Sequence, residues 1–441
     1  MRCNRGLWAG AVLLLALSGC SDDEGGGEIN DPGVYSPLIT GIAADKEPAV
    51  RGQENQLTVL VTNVNNLPLT YHWSAGAGGL LDSTAATVRW VAPDEIGTYP
   101  VTVSITAQDG EAAFFKQSTF QIFVENEYVR WTHSDAVQFD PAPTQAGGVV
   151  FAQYSNVSTG QSAAYSIDAA GLSPIQLTTG FFSVTSPTLR ADGGQLAFAA
   201  KKLSSDAGPS LWLLPGGGGD AVDALPAAVR GSFQTLLGTP RFARTGTMLL
   251  YNSDSTSIGN PRPWYRDAFN MAQAPFRLLA SAGTNAFYQP NWGADLNPAD
   301  GIPDSVVCPS YRLFGTESVV ARGLFKLTTL ANQAAPSVNW LPDSTAVEAD
   351  WSPDGAYIVY AKQDKITKDR DIWIISANSA TPSSAVRVTH GPADDSHPRF
   401  SGDGSAIFFV SNRADRYGLN GVYNLERRGT NIWSVTGFDR P

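Results

Sequence analysis

The densest group of titratable side chains lies within residues 389–398, where two histidines bracket two aspartates. These residues are His390, Asp394, Asp395 and His397. Imidazole and carboxylate groups are the usual ligands and proton carriers of metal-dependent enzymes. The chain has 4 histidines in all, so a catalytic metal would need His133 to join this segment from a distant part of the sequence. The alternative is that the segment is a polar turn ahead of a strand.

An acidic insertion at residues 295–304 is a second candidate site. Its oxygen-bearing side chains are Asp295, Asn297, Asp300 and Asp304, and Gly301 supplies a turn among them. Calcium takes several oxygen ligands from a short loop folded around a glycine, so the segment resembles a Ca²⁺ loop. One extra residue and two prolines disturb the ligand spacing, and a surface loop rich in Pro and Asp is the alternative.

Composition excludes several other functions. The 441 residues contain 30 Lys and Arg against 41 Asp and Glu, and the net charge of -11 opposes the binding of nucleic-acid phosphates. Cysteine occurs at positions 3, 20 and 308, which is too few and too scattered for a disulfide framework or a zinc-thiolate site. The Gly-x-Ser-x-Gly elbow of the α/β-hydrolases is absent from the sequence.

The amino terminus predicts export and attachment to a membrane. Arg2 and Arg5 precede an apolar run at 7–17 that is too short to span a bilayer. The run leads into Leu-Ser-Gly-Cys, ending at Cys20, which resembles the lipobox of bacterial lipoproteins. This resemblance implies a signal peptide at 1–19, lipidation of Cys20 and a membrane as partner.

The segment at 20–35 is acidic and rich in glycine, without apolar periodicity. We expect it to be a flexible tether. In the lipoproteins that the amino terminus resembles, an Asp directly after the lipidated cysteine retains the protein in the inner membrane. Ser21 occupies that position here, which favours the outer membrane, on its periplasmic side or at the cell surface.

Residues 36–126 alternate apolar and polar side chains in short runs. A period of two predicts strands that bury one face. The run from Gly97 to Thr106 resembles the penultimate strand of bacterial Ig-like and PKD-like (polycystic-kidney-disease-type) domains. The resemblance implies a β-sandwich, used as a spacer or adhesive module, with Trp73 in its core. His72 precedes Trp73 on the same strand, so we expect it to face solvent.

Residues 127–438 contain six copies of one motif. The copies begin at residues 141, 187, 240, 290, 349 and 398, and this spacing is typical of propeller blades. In the clearest copies Asp354-Gly355 and Asp403-Gly404 provide the tight turn of a hairpin. A third strand with a central aromatic residue follows each hairpin, at Tyr165, Trp212, Trp264 or Tyr265, Phe325, Trp373 and Trp433.

This motif resembles the TolB-like, or WD40-like, repeat, which implies a six-bladed β-propeller. The last copy lacks an outer strand of its own, so we expect residues 128–133 to pair beside Trp433 and close the ring. Closure removes exposed sheet edges. The predicted fold class is therefore all-β, an Ig-like sandwich followed by a six-bladed propeller closed by an N-terminal strand.

The family resemblance favours non-covalent binding over catalysis. TolB-like propellers bind envelope proteins, and the blade loops and channel mouth offer a surface to a protein or glycan partner. We therefore expect no enzymatic activity and no cofactor, apart from Ca²⁺ if the insertion binds it. Some TolB-like propellers are metal-dependent lyases of pectate fragments. A carbohydrate-active lyase built on the histidine and aspartate cluster is therefore the alternative.

Overall fold

The computed structural model describes residues 36–110, 112–170, 173–216, 218–225, 237–244, 246–254, 261–279, 285–293, 302–314, 318–329, 338–379, 381–391, 393–413 and 429–441. Within these ranges the chain consists of β-strands, turns and one short 3-10 turn at Pro382–Ser384. No helix in the described part is long and apolar enough to cross a membrane. The described residues up to Glu127 form one compact unit, and those from Tyr128 onward form a second.

The first unit is a sandwich of two four-stranded sheets. Its strands are β1 (Leu38–Ala44), β2 (Ala49–Val50), β3 (Glu54–Thr62), β4 (Leu69–Ala75), β5 (Gly79–Leu81), β6 (Thr87–Val91), β7 (Gly97–Asp109) and β8 (Ala112–Glu125). The sheet orders are β1-β3-β6-β5 and β2-β8-β7-β4. Every second residue of β7 from Val101 to Ala107 is buried, which is the alternation expected from the sequence.

Two tryptophans anchor the core between these sheets. The side chains of Trp73 and Trp90 are buried, and each indole N–H donates a hydrogen bond to a backbone carbonyl. The acceptors are Ala85, at 2.9 Å from Trp73, and Ala77, at 3.0 Å from Trp90. A large ring with its one polar group satisfied is a stable core residue. Trp73 thus has the place predicted for it, and His72 is exposed as expected.

The second unit is a propeller of six sheets, which we number as blades one to six in chain order. Its strands are β9 (Glu127–Arg130), β10 (Gln138–Pro143), β11 (Val149–Asn156), β12 (Gln161–Ile167), β13 (Ile175–Gln176), β14 (Ser183–Leu189), β15 (Gln195–Lys201), β16 (Ser210–Pro215), β17 (Val222–Asp223), β18 (Leu237–Phe242), β19 (Met248–Ser253), β20 (Arg262–Asp267), β21 (Phe276–Arg277), β22 (Asn285–Phe287), β23 (Asn291–Trp292), β24 (Ser305–Phe314), β25 (Ser318–Thr328), β26 (Val338–Leu341), β27 (Ala346–Trp351), β28 (Tyr357–Gln363), β29 (Arg370–Ser376), β30 (Val386–Arg387), β31 (Asp395–Phe400), β32 (Ala406–Ser411) and β33 (Asn431–Thr436).

Each blade is an antiparallel sheet, and in blades one, two, three and five the strands run outward from the centre in chain order. Blades one, two, three and five are β10–β13, β14–β17, β18–β21 and β27–β30. In blade four the first strand is divided into β22 and β23, which both pair with β24, and β25 and β26 follow. Blade six has the order β31-β32-β33-β9. Blade six is therefore built from both ends of the propeller sequence.

The second and third strands of each blade pair across a repeated position. The partners are Phe151 and Tyr165, Phe198 and Trp212, Tyr251 and Trp264, Cys308 and Phe325, Tyr360 and Trp373, and Phe409 and Trp433. This register places Trp264, rather than Tyr265, at the repeated position of blade three. In blade four Cys308 stands where the other blades have an aromatic residue. It is fully buried, and burial raises the pKa of its thiol.

The hairpin turn of each clear copy is built by its Asp-Gly pair. In blade six Gly404 has a φ of 75°, which glycine adopts without strain. The Asp403 carboxylate accepts hydrogen bonds from the Ser401 hydroxyl at 2.6 Å and from the Ser405 N–H at 3.0 Å. These hydrogen bonds lower the pKa of Asp403 to about 2. The aspartate is therefore a turn former, as its position in the motif predicts.

Each blade has one residue in the left-handed backbone region, within its innermost strand or, in blade four, between the two parts β22 and β23 of that strand. These residues are Asp140, Ser186, Thr239, Gln289, Glu348 and His397, with φ between 41° and 53°. They stand directly before the six motif starts recognised in the sequence, and the strand register shifts around them in blades one, two, three, five and six. Positive φ is uncommon for residues other than glycine. Its recurrence at one position identifies a repeated β-bulge.

The ring is closed by strand β9, which is the outer strand of blade six. The backbone N–H of Trp131 donates to the carbonyl of Ile432 at 2.8 Å. Its indole N–H donates to the Ser434 hydroxyl at 2.9 Å, across 303 positions of sequence. The Trp131 ring also lies 5.1 Å from the Phe408 ring, centroid to centroid. The closure expected from residues 128–133 is therefore present.

Replacing Trp131 with alanine tests this closure. Trp131→Ala removes a half-buried ring and an indole hydrogen bond, so we expect the free energy of unfolding to fall by about 2–3 kcal/mol, below the loss for a fully buried Trp. Urea titration followed by far-UV circular dichroism measures it. Val129→Ala, in the same segment but 46% exposed, is the control and should change stability little. Equal losses in the two variants would contradict a closing role for Trp131.

Candidate binding site at the propeller channel

Six side chains, one from each blade, meet at the centre of the propeller. Each belongs to the residue two positions after the left-handed residue of its blade, namely Ala142, Thr188, Arg241, Asn291, Asp350 and Arg399. All six are buried and line one cavity of about 100 Å³. A β-bulge redirects the side chains that follow it. This cavity is therefore the central channel of the propeller.

Hydrogen bonds between neighbouring blades hold the polar members of this ring. The Arg241 Nε donates to the Asn291 side-chain carbonyl at 3.1 Å. The Asn291 amide in turn donates to the backbone carbonyl of Ala349. The backbone N–H of Phe400 donates to the Asp350 carboxylate at 2.9 Å. These contacts join blades three to four, four to five and five to six, and they hold the side chains of Arg241, Asn291 and Asp350 in position.

The left-handed residues form a second polar layer. The Asp140 carboxylate accepts hydrogen bonds from the Ser186 N–H at 2.9 Å and from its hydroxyl at 2.8 Å. His397 Nε2 lies 3.2 Å from Asp140 Oδ1 and 3.5 Å from Glu348 Oε1. Burial acts to raise the pKa of Asp140, but His397, the Ser186 hydroxyl and the channel arginines together hold it below its usual value. Asp140 is therefore a buried carboxylate that remains ionised.

The channel contains two buried arginines whose hydrogen bonding is incomplete. Arg241 is 6% exposed and Arg399 is 3% exposed. In each, Nη1 donates to the carbonyl of the preceding proline, at 2.8 Å and 2.9 Å. Nη2 of Arg241, and both Nε and Nη2 of Arg399, have no hydrogen-bond partner among the described residues. Burial and the nearby charge of Arg399 lower the pKa of Arg241 to about 9.

A groove of about 620 Å³ runs along the junction between blades six and one. Trp131 and Phe408 line it from the closing segment and blade six. Pro143, Gln145 and Gly402 line both the groove and the channel cavity. The two spaces therefore adjoin each other at these residues.

The histidines of the predicted cluster have different neighbours. His133 is exposed. His390 is half-buried, close to the positive charges of Arg387 and Arg413. His397 belongs to the second polar layer of the channel, against two carboxylates. The described structure therefore does not bring the three imidazoles to a common point.

The two aspartates of the cluster are engaged by arginines. Asp394 forms a bidentate ion pair with Arg370, in which Nε donates to Oδ1 at 2.8 Å and Nη2 donates to Oδ2 at 2.7 Å. Asp395 is fully buried and accepts a hydrogen bond from Arg413 at 2.6 Å. Within the described ranges, no group of three or more His, Cys, Asp or Glu side chains is arranged to hold a metal ion.

Most of the other predicted sites lie outside the described residues. This is the case for the lipidation residue Cys20 and for Asp295, Asn297 and Asp300 of the acidic insertion. Asp304 is described, and its backbone carbonyl accepts a hydrogen bond from the Thr329 N–H at 3.2 Å. Calcium binding by the insertion stays a prediction.

Sequence reasoning missed the two channel arginines. The signal was the triplet Pro-Arg-Phe in the third and sixth copies of the motif, which contains Arg241 and Arg399. The other copies have Ala, Thr, Asn or Asp at that position. The motif is defined by the residues that the copies share, so a position that differs between copies is not part of it. Only the ring geometry shows that this position faces the channel.

The half-buried imidazole of His390 should make the stability of the fold depend on pH. Burial, with repulsion from Arg387 and Arg413, lowers its pKa from 6.5 to about 4. The unfolded chain therefore binds a proton below pH 6.5 that the folded chain binds only near pH 4. The neutral His390 therefore does not lower the free energy of unfolding above about pH 6.5. As the pH falls from 6.5 towards 4, the unfolded chain gains a proton that the folded chain does not, and the free energy of unfolding decreases. Asp371, whose pKa burial raises to about 6, has the opposite effect, so variant and parent must be compared directly.

We expect His390→Gln to gain stability relative to the parent as the pH falls from 7 to 4.5. Thermal unfolding at both pH values measures the difference between the two proteins. His72→Gln replaces an exposed histidine and serves as the control. A difference between His390→Gln and the parent that does not change with pH would show that His390 does not stay neutral in the fold.

No family model matches the chain, and no curated protein matches it. Among solved structures it is similar to TolB from Acinetobacter baumannii, at 13% identity and a TM-score of 0.32, over 90% of this chain and 80% of that one. It is similar to an oligogalacturonate lyase in complex with manganese, at 11% identity and a TM-score of 0.41, over 88% and 98% of the two chains. The β-propeller domain of the Trilobed protease from Pyrococcus furiosus shares 9% identity at a TM-score of 0.40, over 92% and 100%. These similarities assign no activity to this chain.

Proposed function

We propose that this chain is a lipid-anchored binding protein of the bacterial cell envelope. In this proposal the propeller binds a protein or glycan partner non-covalently, and the sandwich unit acts as a spacer between the membrane and the propeller. The observation that carries the proposal is the channel cavity, which is lined by one side chain from every blade and adjoins a larger groove. Ligand sites are typically concave surfaces of this kind, with a few fixed polar groups.

The chemistry of the described channel supports binding better than catalysis. Its polar side chains are held by neighbouring blades, as the Arg241 to Asn291 and Phe400 to Asp350 contacts illustrate. Fixed donors and acceptors recognise a ligand without reacting with it. Acid-base or metal chemistry requires titratable groups that converge on one bond. Asp394 and Asp395 are instead engaged by arginines.

The anchoring part of the proposal is tested at Cys20. In a Gram-negative host the parent chain should incorporate an alkyne-labelled fatty acid and sediment with the membranes. Cys20→Ser should lose the label, because the thiol that accepts the lipid is gone. Cys308→Ser removes a buried thiol and should keep the label. Labelling of the Cys20→Ser variant at the parental level would overturn lipidation at this residue.

The binding part is tested where groove and channel adjoin. Gln145 is exposed and lines both spaces, so Gln145→Trp places a large ring at their boundary. Gln176→Trp puts the same ring on the exposed outer strand of the same blade and is the matched control. We expect affinity capture from envelope extracts to recover a partner with the parent and with Gln176→Trp, and at least about tenfold less with Gln145→Trp.

Two results would count against this function. Equal capture by both tryptophan variants would place the binding surface elsewhere on the chain. Recovery of no partner, together with shortening of an acidic polysaccharide by the purified protein, would instead support the lyase alternative.

A further inference from the structure

We propose that the propeller channel is a receptor for a single carboxylate carried by a protein partner, which binds between the guanidinium groups of Arg241 and Arg399. This inference rests on the proposed binding function and specifies the chemistry of the group that enters the channel. The proposed function requires only a contact surface, whereas this inference requires an anionic group of the partner at a defined position in the channel.

The two arginines occupy equivalent positions on opposite sides of the ring. They belong to blades three and six, which face each other in a ring of six. Each is the second residue after its left-handed residue, and each donates from Nη1 to the carbonyl of its own preceding proline. The same local contact therefore orients both guanidinium groups, and both line the same cavity.

Three buried nitrogens of these arginines carry N–H groups that no described residue accepts. They are Nη2 of Arg241 and Nε and Nη2 of Arg399, which have no partner among the described residues. The Nε and Nη2 atoms of one guanidinium form the edge that binds a carboxylate through two parallel hydrogen bonds. Nη2 of Arg241 can donate to the same anion from the opposite wall.

The carboxylates near these arginines offset their charge only in part: Asp140 and Asp350 act to raise the pKa of Arg241, which still lies below its usual value. Asp350 accepts a hydrogen bond from the Phe400 N–H and lies 3.9 Å from Arg244. Arg244 also donates to the carbonyl of Trp351 at 2.7 Å. The described lining thus has three arginines and one carboxylate, within a chain whose net charge is -11. The channel is a cationic site in an acidic protein, which attracts an anionic group.

Two buried cations whose hydrogen bonding is incomplete are unfavourable for folding alone. Burial penalises a charged group that lacks its full set of hydrogen bonds. The repulsion between the arginines adds to this penalty, as the lowered pKa of Arg241 indicates. A carboxylate would complete the hydrogen bonding and neutralise part of the charge. The arrangement therefore fits ligand recognition better than stabilisation of the fold.

The size and surroundings of the cavity favour a carboxylate from a polypeptide. Its volume is about 100 Å³, smaller than the cavity of about 150 Å³ that holds a benzene molecule. It has room for a carboxylate on a short stem, such as an Asp or Glu side chain or a chain terminus, but not for a pyranose ring. The adjoining groove of about 620 Å³ can hold the extended chain behind that group.

Small carboxylates test the proposal on the full-length protein. The probes are the α-amide of N-acetylglutamate, which has one side-chain carboxylate, and N-acetylglycine, which mimics a chain terminus. The neutral diamide N-acetylglutamine amide and galacturonate complete the set. At millimolar concentration and constant ionic strength, the first two should raise the unfolding temperature of the parent. The neutral diamide should not, and galacturonate should have at most a small effect.

The variants Arg241→Gln and Arg399→Gln should each weaken carboxylate binding about tenfold or more, because each removes a charge-assisted hydrogen bond. Arg277→Gln, on the outer strand of blade three, is the matched control and should respond like the parent. Without any ligand, Arg399→Gln should unfold at the parental temperature or above it, since mutual repulsion is relieved. A purely structural arginine would give the opposite result.

Three outcomes would overturn the proposal. They are an equal response to the acid and the neutral diamide, an unchanged response in both channel variants, and a response to galacturonate alone, which would indicate a glycan site. The proposed function is judged separately. If no carboxylate raises the unfolding temperature of the parent while Gln145→Trp still loses its partner, the binding function stands and the carboxylate site does not. If no partner is captured while the carboxylate response depends on Arg399, the carboxylate site stands and the proposed binding function does not.

Discussion

The left-handed residue at the innermost strand of every blade is the constraint on which the channel depends. Five of the six residues that follow it are prolines, and Ala349 takes that place in blade five. Proline has no N–H to give to a sheet ladder, so the strand departs from regular pairing at this point. The next side chain then turns towards the ring axis. The motif does not specify the residue type at these six positions. The chemistry of the channel can therefore vary while the fold stays the same.

The channel is consequently a part of the propeller with unfavourable local energetics. Each non-glycine residue with positive φ, such as His397, stores about 1 kcal/mol or more of backbone strain. Two buried guanidinium groups add incomplete hydrogen bonding. The surrounding blades offset this through paired aromatic residues and through buried strands such as β32, where all six residues are buried. Part of the strain and desolvation of the propeller thus lies in the channel.

The features that could be predicted from the sequence are those encoded within one repeat. The Asp403-Gly404 turn, the aromatic position at Trp433 and the closing segment at 128–133 all follow from comparing one copy with another. Proximity between blades does not follow from such a comparison. His390 and His397 are close in sequence, but His390 precedes β31 and His397 lies in its bulge, so their neighbours differ. For the same reason the Arg241 and Arg399 pair emerges only when six strands are arranged around an axis.

Closure and binding involve the same junction of the ring. The contact of His397 with Asp140 joins blade six to blade one inside the channel. The groove follows that junction outward past Trp131 and Phe408, which also close the ring. A partner in the groove therefore touches both ends of the propeller sequence at once. A ligand that binds only the closed ring stabilises closure by its own binding free energy. In the proposed function, partner binding and the integrity of the propeller are therefore thermodynamically linked, whatever the chemical nature of the partner.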